Sequence, residues 1–122
     1  MKKRVLIVED SEDMRVLYRR LFSKKTQIEF AEEEKSETAL LKIKEYKPHL
    51  MIIDISLPGT DGIALTSKIK VLYPGIKVLI ATGHDRDAYY AAALNAGADD
   101  FVTKGDGYDL IEKTMRLLQL NS

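Results

Sequence analysis

Leu50-Met51-Ile52-Ile53-Asp54-Ile55-Ser56-Leu57-Pro58-Gly59-Thr60-Asp61-Gly62 sets a short apolar run against one carboxylate and then against a turn rich in proline, glycine and aspartate. A run of this length bounded by turn residues reads as a strand, and one apolar on both of its faces belongs inside a parallel sheet. The same design occurs at Val5-Leu6-Ile7-Val8, which ends in Glu9-Asp10. If the two strands lie side by side and parallel, three acidic groups converge at one rim. At an effective dielectric near 20, two such charges ~5 Å apart repel by roughly 3 kcal/mol. That cluster calls for a divalent cation. Oxygen donors without cysteine or histidine suit a hard ion such as magnesium, held by a few carboxylates together with water and substrate phosphate.

Outward from these two runs, short Val- and Ile-rich segments alternate five times with stretches of helical spacing. The spacing predicts strands near 4 to 9, 27 to 31, 50 to 54, 76 to 81 and 99 to 103. Helices are expected at about 12 to 24, 36 to 46, 62 to 72, 86 to 96 and 107 to 119, the last carrying a core-facing stripe of Leu110, Ile111, Thr114, Leu117 and Leu118. Gln27-Ile28-Glu29-Phe30-Ala31 alternates polar with apolar, so the second strand belongs at an edge and the first and third in the middle. Pro48, Pro58 and Pro74 all fall in loops. Right-handed crossovers then put helices on both faces of the sheet and bring every strand's last residue to one rim. Thr82 and Lys104 close the fourth and fifth strands there.

The chain has 122 residues, enough for one domain, expected over 1–122, and too few for two. Lys plus Arg and Asp plus Glu both number 19, so no general attraction to nucleic acid or membrane follows. Cysteine is absent, which excludes disulfides and thiol chemistry and is compatible with a cytoplasmic location. The basic start Met1-Lys2-Lys3-Arg4 precedes an apolar run far too short for a signal peptide or a membrane span.

Val5-Leu6-Ile7-Val8-Glu9-Asp10, the Ile52–Gly62 stretch, Leu79-Ile80-Ala81-Thr82-Gly83 and Ala96-Gly97-Ala98-Asp99-Asp100-Phe101-Val102-Thr103-Lys104 together resemble the receiver domain of two-component response regulators. The joint signal is an acidic pair, an acceptor Asp, a Thr and a Lys, each closing a successive strand. The resemblance implies a flavodoxin-like, doubly wound α/β fold with five parallel strands in the order 2-1-3-4-5, whose ligand crevice lies between the first and third strands. It implies that Asp54 is the nucleophile and phosphorylation site, taking a phosphoryl group from the phosphohistidine of a sensor kinase or phosphotransfer protein. Asp10, Glu9, Asp54 and the backbone carbonyl of Ser56 would hold Mg2+, which neutralises charge on the phosphoryl. Lys104 would pair with the phosphoryl oxygens, and Thr82 would donate a hydrogen bond to another. Inward movement of Thr82 and of the aromatic Phe101 would then shift the population of a partner face built from the fourth helix, fifth strand and fifth helix, with Tyr89, Tyr90 and Tyr108 on or near it. Such a chain catalyses only its own phosphorylation and dephosphorylation, and its downstream partner is a protein. It is expected to be a stand-alone receiver or a domain cut from a longer regulator.

The pattern departs from the family in two places. A cis proline normally follows the lysine, whereas Lys104 precedes Gly105. A cis bond without proline costs ~2.5 to 4 kcal/mol, so a trans or mobile link and a looser Lys104 are expected. Ser56 and His84 occupy positions that in the family tune how fast water removes the phosphoryl. Plainer assignments cover other residues: Asp61-Gly62 as helix cap and turn, Asp10-Ser11 as a cap when taken alone, His49 as a surface residue at the opposite rim, and Glu32-Glu33-Glu34-Lys35 as a solvated loop. Among rival functions, a mononucleotide binder needs a glycine-rich loop after the first strand, where Glu9-Asp10 would repel phosphate. An aspartyl phosphatase of the haloacid dehalogenase type needs a second Asp at position 56, where Ser stands. The remaining alternative is a receiver-fold protein-binding module that works without phosphorylation.

Overall fold

A computed structural model describes residues 1–57, 61–83 and 86–120, the side chains of 86–88 excepted. The elements in chain order are β1 (Lys3–Val8), α1 (Glu12–Phe22), β2 (Ile28–Glu33), α2 (Ser36–Tyr46), β3 (Leu50–Asp54), α3 (Gly62–Leu72), β4 (Lys77–Thr82), α4 (Arg86–Asn95), β5 (Asp100–Thr103) and α5 (Gly107–Leu117). The strands form one sheet in the order β2-β1-β3-β4-β5, and every pairing is parallel. This is the doubly wound α/β architecture expected from the sequence.

The central strands carry apolar side chains on both faces because both faces are covered. Leu6, Val8, Met51, Ile53, Val78 and Ile80 pack against α2, α3 and α4 through Ala39, Ile43, Leu65, Ile69 and Ala93. Val5, Ile7, Leu50, Ile52, Leu79 and Val102 pack against α1 and α5 through Tyr18, Phe22, Leu110 and Met115. At ~1.5–3 kcal/mol for each fully buried large aliphatic side chain, β1 and β3 are the most firmly held parts of the sheet. Their ends are therefore rigid platforms for whatever side chains follow.

Helix ends are set by identifiable residues. Ser11 caps α1 by accepting from the Met14 amide at 3.3 Å, Asp61 caps α3 by accepting from Ala64 at 2.8 Å, and Asp106 caps α5 by accepting from Asp109 at 3.1 Å. The cap assigned to Asp61 is thus present, and at the Asp10-Ser11 pair it is the serine that caps. Helices α1 and α5 end at Phe22 and Leu117, each two residues short of the spacing's limit.

Two assignments change. Strand β2 runs on to Glu33, pairing Ile7 with Glu32 and Val8 with Glu33, so half of the acidic run is strand rather than loop. Edge strands tolerate exposed charge, which hides their ends in a sequence. His49 is half-buried and structural: its Nδ1 accepts from the Arg4 amide at 2.9 Å, while its own amide donates to the Arg4 carbonyl at 2.8 Å. Burial first, then the charges of Arg4 and Lys3, hold its pKa below the ordinary histidine value.

Candidate functional site

The register of the middle strands builds the site. Val8 lies opposite Ile53, so Glu9 and Asp54 leave adjacent strands at the same level. Asp54 in turn lies opposite Ala81 of β4, and Thr82 opposite Thr103 of β5. Carboxylate oxygens of Glu9, Asp10 and Asp54 lie within 4.8 Å of one another. Glu9 and Asp54 are buried, at 1% and 4% exposure, whereas Asp10 is open to solvent.

Lys104 spans the two buried acids. Its Nζ is 2.9 Å from Glu9 Oε1 and 3.1 Å from Asp54 Oδ1, and it donates a hydrogen bond to Glu9 Oε2 at 3.1 Å. Glu9 Oε2 also accepts from the Ser11 amide at 3.2 Å, and Asp54 Oδ1 accepts from the Ser56 amide at 3.3 Å. Burial, reinforced by the charge of Asp54, pushes Glu9 up to about 7 in spite of the lysine. Burial opposes the Lys104 charge, but the hydrogen bond and charge of Glu9, joined by Asp54, outweigh it and hold the ammonium above the usual lysine value.

These residues suit a hard cation. The donors are all oxygens, two of the carboxylates are desolvated, and Glu9 Oε1 is buried with no aligned hydrogen-bond donor although the lysine is near. An oxygen with a free lone pair in a cluster short of positive charge is what a divalent ion completes.

The link after Lys104 is trans and anchored by backbone. There is no cis peptide bond among the described residues. Gly105 turns the chain at φ +93°, a region that disfavours other residues, and the Lys104 amide donates to the Thr82 carbonyl at 2.7 Å. The trans alternative for this link is therefore met, and a backbone bond to β4 and two carboxylates hold Lys104 in this arrangement.

Thr82 and Phe101 are both fully buried. The Phe101 ring meets the Tyr90 ring edge-on at 5.9 Å, and its carbonyl accepts from Lys113 Nζ at 2.7 Å. Tyr90 thereby joins α4 to β5. Tyr89 lines a groove of about 630 Å³ with Ile63 and Ala64 of α3, and Tyr108 lines one of about 1090 Å³ with Arg20 and Leu21 of α1. Ser56 is exposed beside Asp54, while Pro58, Gly59, Thr60 and His84 lie outside the described residues.

Two residues that sequence reasoning missed support the site. Gly62 opens α3 against the backbone of Asp54, where a Cβ would stand 2.1 Å from the Asp54 carbonyl oxygen. Asp61-Gly62 had signalled a helix cap and turn, not this close approach. Arg15, 7% exposed on α1, donates from Nη1 to the Glu9 carbonyl at 2.8 Å. Its one trace in the sequence is the Glu12-x-x-Arg15 spacing of a helical ion pair.

A parallel 2-1-3-4-5 sheet with an acidic cluster at its switch point and a lysine directly after the last strand defines a receiver domain. The model of the response regulator receiver domain family matches residues 5–116, and the chain belongs to that family. Receiver domains are signalling modules rather than classical enzymes. The chemotaxis protein CheY of Halobacterium salinarum is 39% identical over 105 residues, covering 85% of this chain and 86% of that protein. The response regulator GacA of Pseudomonas protegens is 32% identical over 116 residues, 94% of this chain but 54% of its own length. The chain thus spans about half of that relative. Among solved structures, a CheY-like receiver domain protein from Methanospirillum hungatei aligns over 98% of this chain and 96% of its own, with a TM-score of 0.87 and 30% identity. No helix among the described residues is long and apolar enough to cross a membrane.

Proposed function

We propose that the chain, as one receiver domain over residues 1–122, takes a phosphoryl group from the phosphohistidine of a sensor kinase or phosphotransfer protein onto Asp54. The observation that carries this reading is the placement of Glu9, Asp10 and Asp54 around one point, with the Lys104 ammonium between the two buried members. Glu9, Asp10, Asp54 and the Ser56 carbonyl would hold Mg2+, which when bound offsets the negative charge on the transferring phosphoryl.

The protein's own groups do the remainder. An Asp54 oxygen attacks phosphorus, the bond to the histidine nitrogen breaks, and that nitrogen keeps the electron pair. Lys104 moves from carboxylate partners to phosphoryl oxygens, exchanging one set of charge-assisted bonds for another. The Thr82 hydroxyl donates to a further oxygen. Phe101, already packed inward against Tyr90, is held there once Thr82 is drawn to the phosphoryl, so the α4-β5-α5 face is biased toward one arrangement. Catalysis stops at the protein's own phosphorylation and dephosphorylation. The lack of cysteine and of any described membrane-spanning helix is in keeping with a cytoplasmic site of action.

Intact-mass analysis after exposure to acetyl phosphate, with and without magnesium, tests the proposal. One phosphate is expected on the wild type, dependent on metal and lost in Asp54→Asn. Failure to add phosphate under every condition would instead favour a receiver fold that binds partners without phosphorylation.

A further inference from the structure

The Glu9 backbone is held on both sides of its Cα. Its amide donates to the Glu33 carbonyl of β2 at 2.9 Å, and its carbonyl accepts from Arg15 Nη1 at 2.8 Å. The Arg15 guanidinium is itself fixed from other directions. Nη2 meets Glu12 Oε2 at 2.5 Å and Glu34 Oε1 at 2.9 Å, and Nε stands 3.7 Å from Glu32 Oε1. Glu32 is also gripped by Arg19, whose Nη2 is 2.7 Å from its Oε1. One nearly buried cation therefore joins the first turns of α1, the end of the edge strand β2 and the peptide that carries the acidic pair.

A buried arginine facing three carboxylates needs no fourth partner to be neutralised. Its donation to a backbone carbonyl instead sets the orientation of the peptide between Glu9 and Asp10, and with it the directions in which both side chains leave the backbone. A planar fork fixes the directions of its nitrogens, so contact with the two carboxylates also sets where Nη1 meets the carbonyl; a lysine ammonium, a compact point charge with rotatable donors, would hold that direction less firmly.

We propose that Arg15 is a positioning residue for the acidic pocket: by clamping the Glu9 carbonyl to the acidic end of β2 and to Glu12, it keeps the Glu9 and Asp10 carboxylates converged with Asp54. The inference rests on the cation-dependent reading of the site given above. Groups that orient ligands from behind typically change metal affinity by about 10–100-fold when removed. Arg15 acts one peptide bond away from the ligand atoms, so the lower end of that range applies.

The test is magnesium titration by calorimetry on the full chain, together with the magnesium dependence of phosphate uptake from acetyl phosphate. Arg15→Met is expected to weaken magnesium binding about tenfold, while saturating magnesium returns phosphate uptake to within about threefold of wild type. Arg15→Lys, which keeps a donor for the carbonyl, should recover part of the affinity. Circular dichroism establishes that each variant is folded at the titration temperature. Should Arg15→Met not fold, the Glu12→Gln, Glu34→Gln double variant leaves the arginine in place but frees its fork, and about a twofold to fivefold loss of affinity is expected by the same reasoning. Folded variants whose magnesium affinity equals that of wild type would overturn the role of Arg15. A wild-type chain that binds no magnesium and takes no phosphoryl would overturn the reading of the site instead.

Discussion

Replacing Lys104 with Met removes the one ammonium that faces both buried carboxylates, and the consequence is set by Glu9. At an effective dielectric near 20, contacts of 2.9 and 3.1 Å each carry a gross attraction of about 5 to 6 kcal/mol, most of it offset by the desolvation of the charges. The informative quantity is the dependence on pH. Glu9 is raised from 4.5 to about 7 in the folded chain, so the stability it contributes is fully present below pH 4.5 and is lost as pH rises toward 7. The slope is about 1.4 kcal/mol per pH unit, and the loss levels off near 7 because Glu9 can then ionise against Lys104. Without the lysine, burial and Asp54 keep Glu9 protonated to higher pH and the decline continues. Between pH 7 and 8.5 the gap between wild type and Lys104→Met should widen, by up to about 1.6 kcal/mol if Glu9 stays protonated throughout in the variant. Urea unfolding in EDTA at pH 5.5, 7 and 8.5, with free energies extrapolated to water, measures it. Parallel curves above pH 7 would refute the claim that Lys104 governs the ionisation of Glu9.

Two other perturbations follow from the same geometry. Gly62→Ala forces a methyl group against the Asp54 carbonyl, and a loss of about 1–3 kcal/mol with slower phosphate uptake is expected; Gly75→Ala, where nothing lies within 4 Å, should stay within about 0.5 kcal/mol of wild type. Equal effects at the two glycines, read by thermal or urea unfolding, would contradict this packing. Magnesium must compete with the proton on Glu9, so calorimetry in buffers of different ionisation heat should show close to one proton released per ion at pH 6 and far fewer at pH 8. Equal release at both pH values would remove Glu9 from the site.

The parts of the fold that can be read from sequence are those where burial leaves no choice. Leu50–Ile53 and Val5–Val8 must be interior strands because every side chain is apolar, and each announces its carboxylate by ending on it. Strand β2 conceals its end because Glu32 and Glu33 stay in the ladder while their side chains reach solvent or the arginines of α1. Arg15 was illegible for a related reason: an arginine on a helix reads as solvated, and its burial depends on acids that arrive from β2 and from the loop after it. Gly105 was legible in part. The missing proline pointed to a trans link, which is present, but the bond from the Lys104 amide to Thr82 is made by backbone, to which no side-chain pattern points. His49 looked superficial because its partner is the amide of Arg4 on a neighbouring strand, 45 residues away.

Chemical trapping at Asp54 tests the central claim most directly. After incubation with acetyl phosphate and magnesium, borohydride reduces an acyl phosphate to the alcohol, and peptide mapping then locates the altered residue. The account predicts homoserine at position 54 alone, absent when magnesium is chelated. Reduction at Glu9, Asp10 or Asp61, or no reduction in a chain that has gained phosphate, would contradict it.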